Sequence, residues 1–506
     1  MIKRTKHVFI ILLLSLVVHG QQQTRIEILD ELFSKAYSDF EMAGLAIGII
    51  KDGKIKLAKG YGDLVYGEER KVDGETIFEI ASCTKAFTAA AIGMLVDDGL
   101  LDWEDRVIDY LPGFKLDDPY VTREIRIIDL LCHRAGFNTF DGDLLWYNTN
   151  YTRGDIVDKI KYMSLKNSFR MKYGYSNVMY VVAGEVIEAV TGKTWDDFVQ
   201  ERFFAPLKMT ATKTTNRAFT KESNKAQPHL KWEVLEFLNY DNAGPAASIN
   251  SNINDLMKWV GMWLNKGKLN GEEFLSEKTY QKITSGQIVP KIRESERNLG
   301  INFKEYALGW EIFEYNGVKV INHNGGLPGY LSKVAFVPEL NLGFVILYNN
   351  MSYVLNAAMY SILDAYIKDE IGNHFETTKE AVDKYHELEK VNLEKRANSQ
   401  IKNTAPSLSL EGYSGTYNDK MYGDATVTFS NGQLTLSLLP AKKYFTADLI
   451  HWHFDTFDFK FNDSFLPNGL ITFEFGSTGE VTGFKIDLPN PDFHFYNLHF
   501  VKREYK

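Results

Sequence analysis

Strand patterns stand near both ends of residues 25–370, and helical patterns fill the stretch between them. "GLAIGIIKDGKIKLAKGYG" (Gly44 to Gly62) sets two apolar runs around an Asp52-Gly53 turn, a strong hairpin signal. "KVAFVPELNLGFVILYNN" (Lys333 to Asn350) reads as a second hairpin, apolar enough to be a central pair. Between them, "AFTAAAIGMLVDDGLLD" is a buried, Ala-rich helix and "VMYVVAGEVIEAVTG" is a helix stopped by Gly192. "NINDLMKWVGMWLNKG" is a third, with Asn252 or Asn254 as its cap and Gly267 as its stop. "AAMYSILDAYIKDEIG" closes the unit with a helix. Strands at both ends with helices between them imply an α/β (α+β) fold: an antiparallel sheet flanked by helices, with an inserted helical region.

The composition changes after Gly372. "ETTKEAVDKYHELEKVNLEKRANSQ" is charged and poor in apolar residues, so it reads as a solvated connecting helix over 373–407, broken by "NTAPSLS". From 408 to 506 the pattern becomes short strands with hairpin turns at "SNGQ" and "STGE". This part is expected to be a separate all-β barrel or sandwich domain, leaving residues 21–372 as the main domain. Its aromatics, Trp452, Phe454, Phe457, Phe459 and Phe495, fill a β core, cover the main domain or bind glycan.

A chain of 506 residues has room for two or three domains. A formal net charge of −9 argues against nucleic acid as a partner, because phosphate binding needs a basic surface. Two cysteines, Cys83 and Cys132, make neither a disulfide scaffold nor a thiolate metal site. Lys3, Arg4 and Lys6 precede an apolar run from Val8 to Val18 that is short for a bilayer span. Residues 1–20 therefore read as a signal peptide, with an uncleaved anchor as the rival, and the mature protein as secreted or periplasmic. No other run reaches transmembrane length.

"EIASCTKAFTAAAIGML" holds the chemistry. Ser82 follows an extended run and opens a strongly apolar helix, and Lys85 lies three residues on, which returns it to the same face. A lysine forced into such a helix is desolvated, its pKa falls, and it becomes a base for a serine hydroxyl. The plain alternative is a serine N-cap beside a surface lysine. Ser399 and Lys402 repeat the spacing in the charged connector, where nothing points to a pocket. Tyr175-Ser176-Asn177 precedes another helix, and a tyrosine beside a cationic lysine loses its proton more easily. His323-Asn324-Gly325-Gly326 ends a strand candidate and enters a glycine-rich turn, where a backbone N–H at Gly326 opposite that of Ser82 would complete an oxyanion hole.

These three motifs, S-x-x-K, Y-x-N and H-x-G in that order, resemble the serine hydrolases grouped with class C β-lactamases, penicillin-binding DD-peptidases, D-aminopeptidases and β-lactamase-like esterases. "LLCHRAGF", "FFAPLKMTATKTT" and "AGPAASINSNINDLMKWV" resemble intervening segments of that family, and the resemblance covers about residues 25–365. "LEGYSGTYNDKMYGDATVTF" resembles a small β domain of unknown function appended to such hydrolases. The resemblance implies Ser82 as nucleophile, Lys85 and Tyr175 as a shared base, and the N–H groups of Ser82 and Gly326 as oxyanion donors. It implies Asn177, His323, Asn324 and Gly325 as substrate-binding positions, and no metal or organic cofactor. The expected substrate is a small ester, amide or peptide. Lysine is usual at the position of His323, so β-lactams and cell-wall D-alanyl peptides come second, and a catalytically silent binding protein third. The loop Phe140 to Thr152, with Trp146 and Tyr147, is expected to choose the substrate or to pack as a lid.

Overall fold

The computed structural model describes residues 25–40 and 42–503. The charged and apolar start read as a signal peptide lies outside the described residues. A helix over residues 25–39 (α1) leads into β1 (Gly44–Lys51) and β2 (Lys54–Gly62), which pair as a hairpin across Asp52 and Gly53. Among the helices between Gly62 and Lys304, the longest are α2 (Lys85–Asp97), α3 (Asn177–Thr191) and α4 (Ile253–Leu264). Asn252, rather than Asn254, caps α4, its side chain accepting from Asp255 N. Gly192, at φ +68°, ends α3. Five strands complete the unit: β3 (Lys304–Tyr306), β4 (Glu311–Tyr315), β5 (Val318–Leu327), β6 (Tyr330–Val337) and β7 (Leu342–Tyr348). The sheet runs β2-β1-β7-β6-β5-β4-β3, every neighbouring pair antiparallel.

Both faces of this sheet are covered, and β6 records it residue by residue. Leu331, Ala335 and Val337 face a core shared with Leu29 and Phe33 of α1 and with Ile362 of α5 (Leu355–Ile367). Val334 and Phe336 face the opposite core, with α2 and with Trp259 and Val260 of α4. Helix α2 is buried from Lys85 through Leu95. Its Ala-rich sequence forms a helix readily and lets neighbours approach closely on every side.

The charged segment is one helix, α6 (His374–Asn398), with no buried residue. A closed eight-stranded barrel follows: β8 (Gly415–Asp419), β9 (Gly423–Ser430), β10 (Gln433–Leu438), β11 (Thr446–His453), β12 (Thr456–Phe459), β13 (Gly469–Phe475), β14 (Val481–Asp487) and β15 (His499–Lys502). Pairing of β8 with β15 closes it, which removes its free edges. The β9–β10 turn uses Asn431 and Gly432, both at positive φ. Phe457, Phe459 and Phe495 belong to the packed core, while Phe454 is exposed. Among the described residues no helix is long and apolar enough to cross a membrane.

Candidate active site

The segment before Ser82 is held extended, as the short strand Phe78–Glu79 pairs with Asn250–Ser251 and Ile80 N donates to Ile249 O. The chain then turns through a 3-10 turn, Ala81–Thr84, directly into α2. Ala81 sits at φ +47°, a left-handed conformation that costs an alanine about 1 kcal/mol. The turn leaves Ser82 partly open to solvent and caps nothing with its hydroxyl. One helical turn on, Lys85 is fully buried, and its Nζ lies 3.0 Å from Ser82 Oγ. The N-cap-and-surface-lysine alternative therefore does not describe this pair.

Lys85 Nζ is aimed by two further acceptors, Asn177 Oδ1 at 2.7 Å and Ala246 O at 2.9 Å. Burial pulls its pKa down to about 7, with the carboxylate of Asp143 pulling the other way. Asp143 is itself buried, which pushes its carboxyl up to about 7, and its Oδ2 accepts from Asn177 Nδ2 at 2.7 Å. Asn177, the first residue of α3, thus takes its orientation from Asp143 and gives it to Lys85.

Tyr175 faces the same serine. Its ring lies 4.8 Å from Lys85 Nζ, and its phenol interacts with the Ser82 hydroxyl. From the sequence, a cationic Lys85 is expected to make this phenol more acidic. Burial dominates instead and holds it well above the ordinary tyrosine value, with Ser82 a smaller opposing influence. Tyr175 is accordingly a proton-bearing phenol rather than a resting phenolate. Its segment is anchored by His133, whose Nδ1 accepts from Ser176 N at 3.0 Å and whose carbonyl accepts from Gly174 N at 2.9 Å. The rings of His133 and Tyr175 lie 4.2 Å apart. Buried Asp129 binds both Arg134 and Arg170, which ties the His133 turn to the chain entering the Tyr175 segment.

The third motif lies inside a strand. The sequence places His323-Asn324-Gly325-Gly326 at a strand end, but β5 continues to Leu327 and turns at Pro328-Gly329. Gly325 is there for close approach: a Cβ would stand 2.2 Å from Ile80 O and from Ser332 Oγ, and 3.0 Å from Ala81 Cβ. Gly326 is exposed, the nearest atom to such a Cβ being Leu331 Cδ2 at 3.4 Å. His323 is buried beside Tyr175, with ring centroids 6.2 Å apart. Its Nδ1–H donates to Asn324 O at 2.6 Å, and its Nε2 accepts from Tyr306 OH at 3.0 Å. Burial, helped by Lys85, lowers its pKa to about 3, so it is neutral across the physiological range. The Asn324 side chain lines a cavity of about 740 Å³ on the far face of the sheet, with Lys333 and Asn356, away from Ser82.

The structure thus gathers Ser82, Lys85, Tyr175, Asn177, His323 and Gly325 at one place, and turns the Asn324 side chain away. It adds Asp143, His133 and Tyr306, which none of the three motifs contains. His133 lies in the quoted "LLCHRAGF", and Asp143 in the quoted loop Phe140 to Thr152. Two aromatics of that loop turn toward the barrel: Trp146 and Tyr147 are buried, and Tyr147 stacks on Phe493 with centroids 3.7 Å apart, while Phe140 lies edge-on to Tyr175 at 5.6 Å. Cys83 is inert, its thiol pushed up to about 11 by burial.

A serine hydroxyl against a buried amine, with a phenol alongside, is an arrangement for acyl transfer. The Beta-lactamase family matches residues 29–365, and a domain of unknown function (DUF3471) matches residues 399–502. An unguisins hydrolase of Aspergillus campestris is 29% identical over 426 residues, covering 78% of this chain and 76% of that protein. Protein flp of Staphylococcus aureus is 27% identical over 357 residues, covering 68% and 66%. Among solved structures, the octameric penicillin-binding protein homologue of Pyrococcus abyssi aligns with a TM-score of 0.59 at 19% identity, covering 94% of this chain and all of that one. The D-amino acid amidase of Ochrobactrum anthropi aligns with a TM-score of 0.55 at 22% identity, covering 69% and 97%. At those identities the two structures speak for the fold. The match over residues 29–365 spans most of the sequence, and the chain belongs to the Beta-lactamase family as a serine hydrolase.

Proposed function

We propose that the protein is an exported hydrolase that forms an acyl-serine intermediate at Ser82 on a small ester or amide. The observation that carries this reading is the 3.0 Å approach of a fully buried Lys85 Nζ to a solvent-reachable Ser82 Oγ. Neutral Lys85 takes the hydroxyl proton as Ser82 Oγ attacks the substrate carbonyl carbon. The backbone N–H groups of Ser82 and Gly326 hold the oxyanion, aided by the start of α2. The phenol of Tyr175 hands a proton to the departing alcohol or amine and is recharged from Lys85. Water then attacks the acyl carbon, its proton passing to the Tyr175–Lys85 pair and on to Ser82 Oγ as the bond to the acyl carbon breaks, and the free serine is restored.

Neutral His323 favours esters and amides over β-lactams or carboxylate-terminated cell-wall peptides, because it offers no fixed positive charge to a substrate carboxylate. The name of the compared unguisins hydrolase supports hydrolysis as the reaction. The basic and then apolar residues 1–20 support export. The test is turnover of p-nitrophenyl esters, D-amino acid anilides and nitrocefin by the wild type and by Ser82→Ala. The reading expects turnover of an ester or anilide that Ser82→Ala lacks. Equal turnover by both proteins removes Ser82 from the mechanism, and turnover of nitrocefin alone replaces the substrate class.

A further inference from the structure

The interior of the barrel is packed with aromatic side chains. Tyr413, Tyr417, Phe457, Phe473, Phe484 and Phe500 are buried within it and pack ring against ring. Its outer surface and the chain around it instead grip the segment that runs from Asp141 to Tyr151. Tyr147 OH donates to Asp463 Oδ2 at 2.8 Å, and Asn148 Nδ2 donates to the same oxygen at 3.0 Å. Asn150 N donates to Pro440 O at 2.9 Å, and Asn497 Nδ2 donates to Asp141 Oδ1 at 3.3 Å. Asp463 is 5% exposed, so these bonds are shielded from water and correspondingly strong.

That segment carries Asp143, and an unbroken series of bonds leads from the barrel to the serine. Asp463 holds the Tyr147 hydroxyl, and Tyr147 N donates to Asp143 O at 3.1 Å. Asp143 Oδ2 accepts from Asn177 Nδ2, Asn177 Oδ1 accepts from Lys85 Nζ, and Lys85 Nζ meets Ser82 Oγ. Every member from Tyr147 to Lys85 is at least nine-tenths buried, so none can move far without leaving a polar group unpaired.

We propose that Asp463 of the barrel is a positioning residue for the reaction at Ser82. It fixes Tyr147, and through it Asp143, so that Asn177 keeps Lys85 aimed at the serine oxygen. The appended domain is then a buttress of the catalytic loop and not a separate ligand-binding module. The proposal rests on the Ser82–Lys85 reading above.

The test uses the full chain and a fluorophosphonate probe. The Ser82 oxygen forms a bond to phosphorus, the P–F bond breaks, fluoride leaves, and the serine proton goes to Lys85. Labelling rates are measured against pH for the wild type, Ser82→Ala, Asp463→Ala, Asp463→Asn, Tyr147→Phe and Lys443→Ala. Lys443 bonds Glu236 and joins the same two parts of the molecule with no bond from its side chain to Asp463 or Tyr147. Asp463→Ala is expected to slow labelling at least tenfold. It also moves the midpoint of the pH profile downward, because Asp143 no longer helps Lys85 keep its proton. Asp463→Asn, which keeps an acceptor oxygen, restores most of the rate, and Lys443→Ala changes neither quantity. Tyr147→Phe keeps the ring and loses the bond to Asp463, so it shows the same downward shift even if Asp463→Ala fails to fold. Wild-type rate and midpoint in both Asp463→Ala and Tyr147→Phe overturn the proposal, as does an equal loss in Lys443→Ala. Equal labelling of Ser82→Ala and wild type overturns the underlying reading instead.

Discussion

Lys85 is where chemistry and stability oppose one another. Burial lowers its pKa from the ordinary 10.5 to about 7, and Lys333, buried on the far side of the sheet, falls equally to about 7. Below pH 10.5 the unfolded chain binds a proton at each lysine that the folded chain declines. Stability therefore falls by about 1.4 kcal/mol per pH unit for each lysine as pH drops, until it levels near 7. Lys85→Met should abolish turnover while raising stability at neutral pH by on the order of 2 kcal/mol, read from urea unfolding. Equal or lower stability would mean that the amine is not strained by burial. The Ser82–Lys85 pair is legible in the sequence only in company, because alone it reads as well as a serine cap beside a surface lysine, and the order of the three motifs singles it out. Asp143 is not legible, because a loop carboxylate has no periodicity, and only the fold brings it to Asn177.

At the scale of elements, the site depends on β5 lying flat against the turn that presents Ser82. The two glycines of "HNGG" carry a turn signal in the sequence, yet Gly325 lies within a strand. Glycine marks both sharp turns and close backbone approach, and which applies depends on what packs against it, here Ile80 and Ala81. Gly325→Ala should push β5 away from the Ser82 turn, costing about 1–3 kcal/mol and most of the activity. Wild-type kinetics in that variant would show that the strand and the turn are not fitted to each other. The hairpins at Asp52-Gly53 and Asn431-Gly432 are legible because local turn chemistry alone decides them. The exact reach of β5 is not, since it follows from pairing with β6.

For the molecule as a whole, the antiparallel sheet with its helices and the all-β character of the C-terminal part both follow from hydrophobic patterning. The embrace between them does not, because a buried Trp146 or Tyr147 reads the same whether a domain core or a neighbouring domain covers it. One continuous apolar core joins the Ser82 side of the sheet to the barrel. Calorimetry of the full chain should therefore show a single cooperative transition, and two well-separated transitions would deny that the barrel supports the loop. The most direct measurement is the rate of fluorophosphonate labelling from about pH 5 to about pH 10, with the modified peptide located by mass spectrometry. The account requires one labelled residue, Ser82, and a rate that rises through about pH 7 to a plateau as Lys85 loses its proton. A label elsewhere, or a rate still climbing toward the ordinary lysine value, would contradict it.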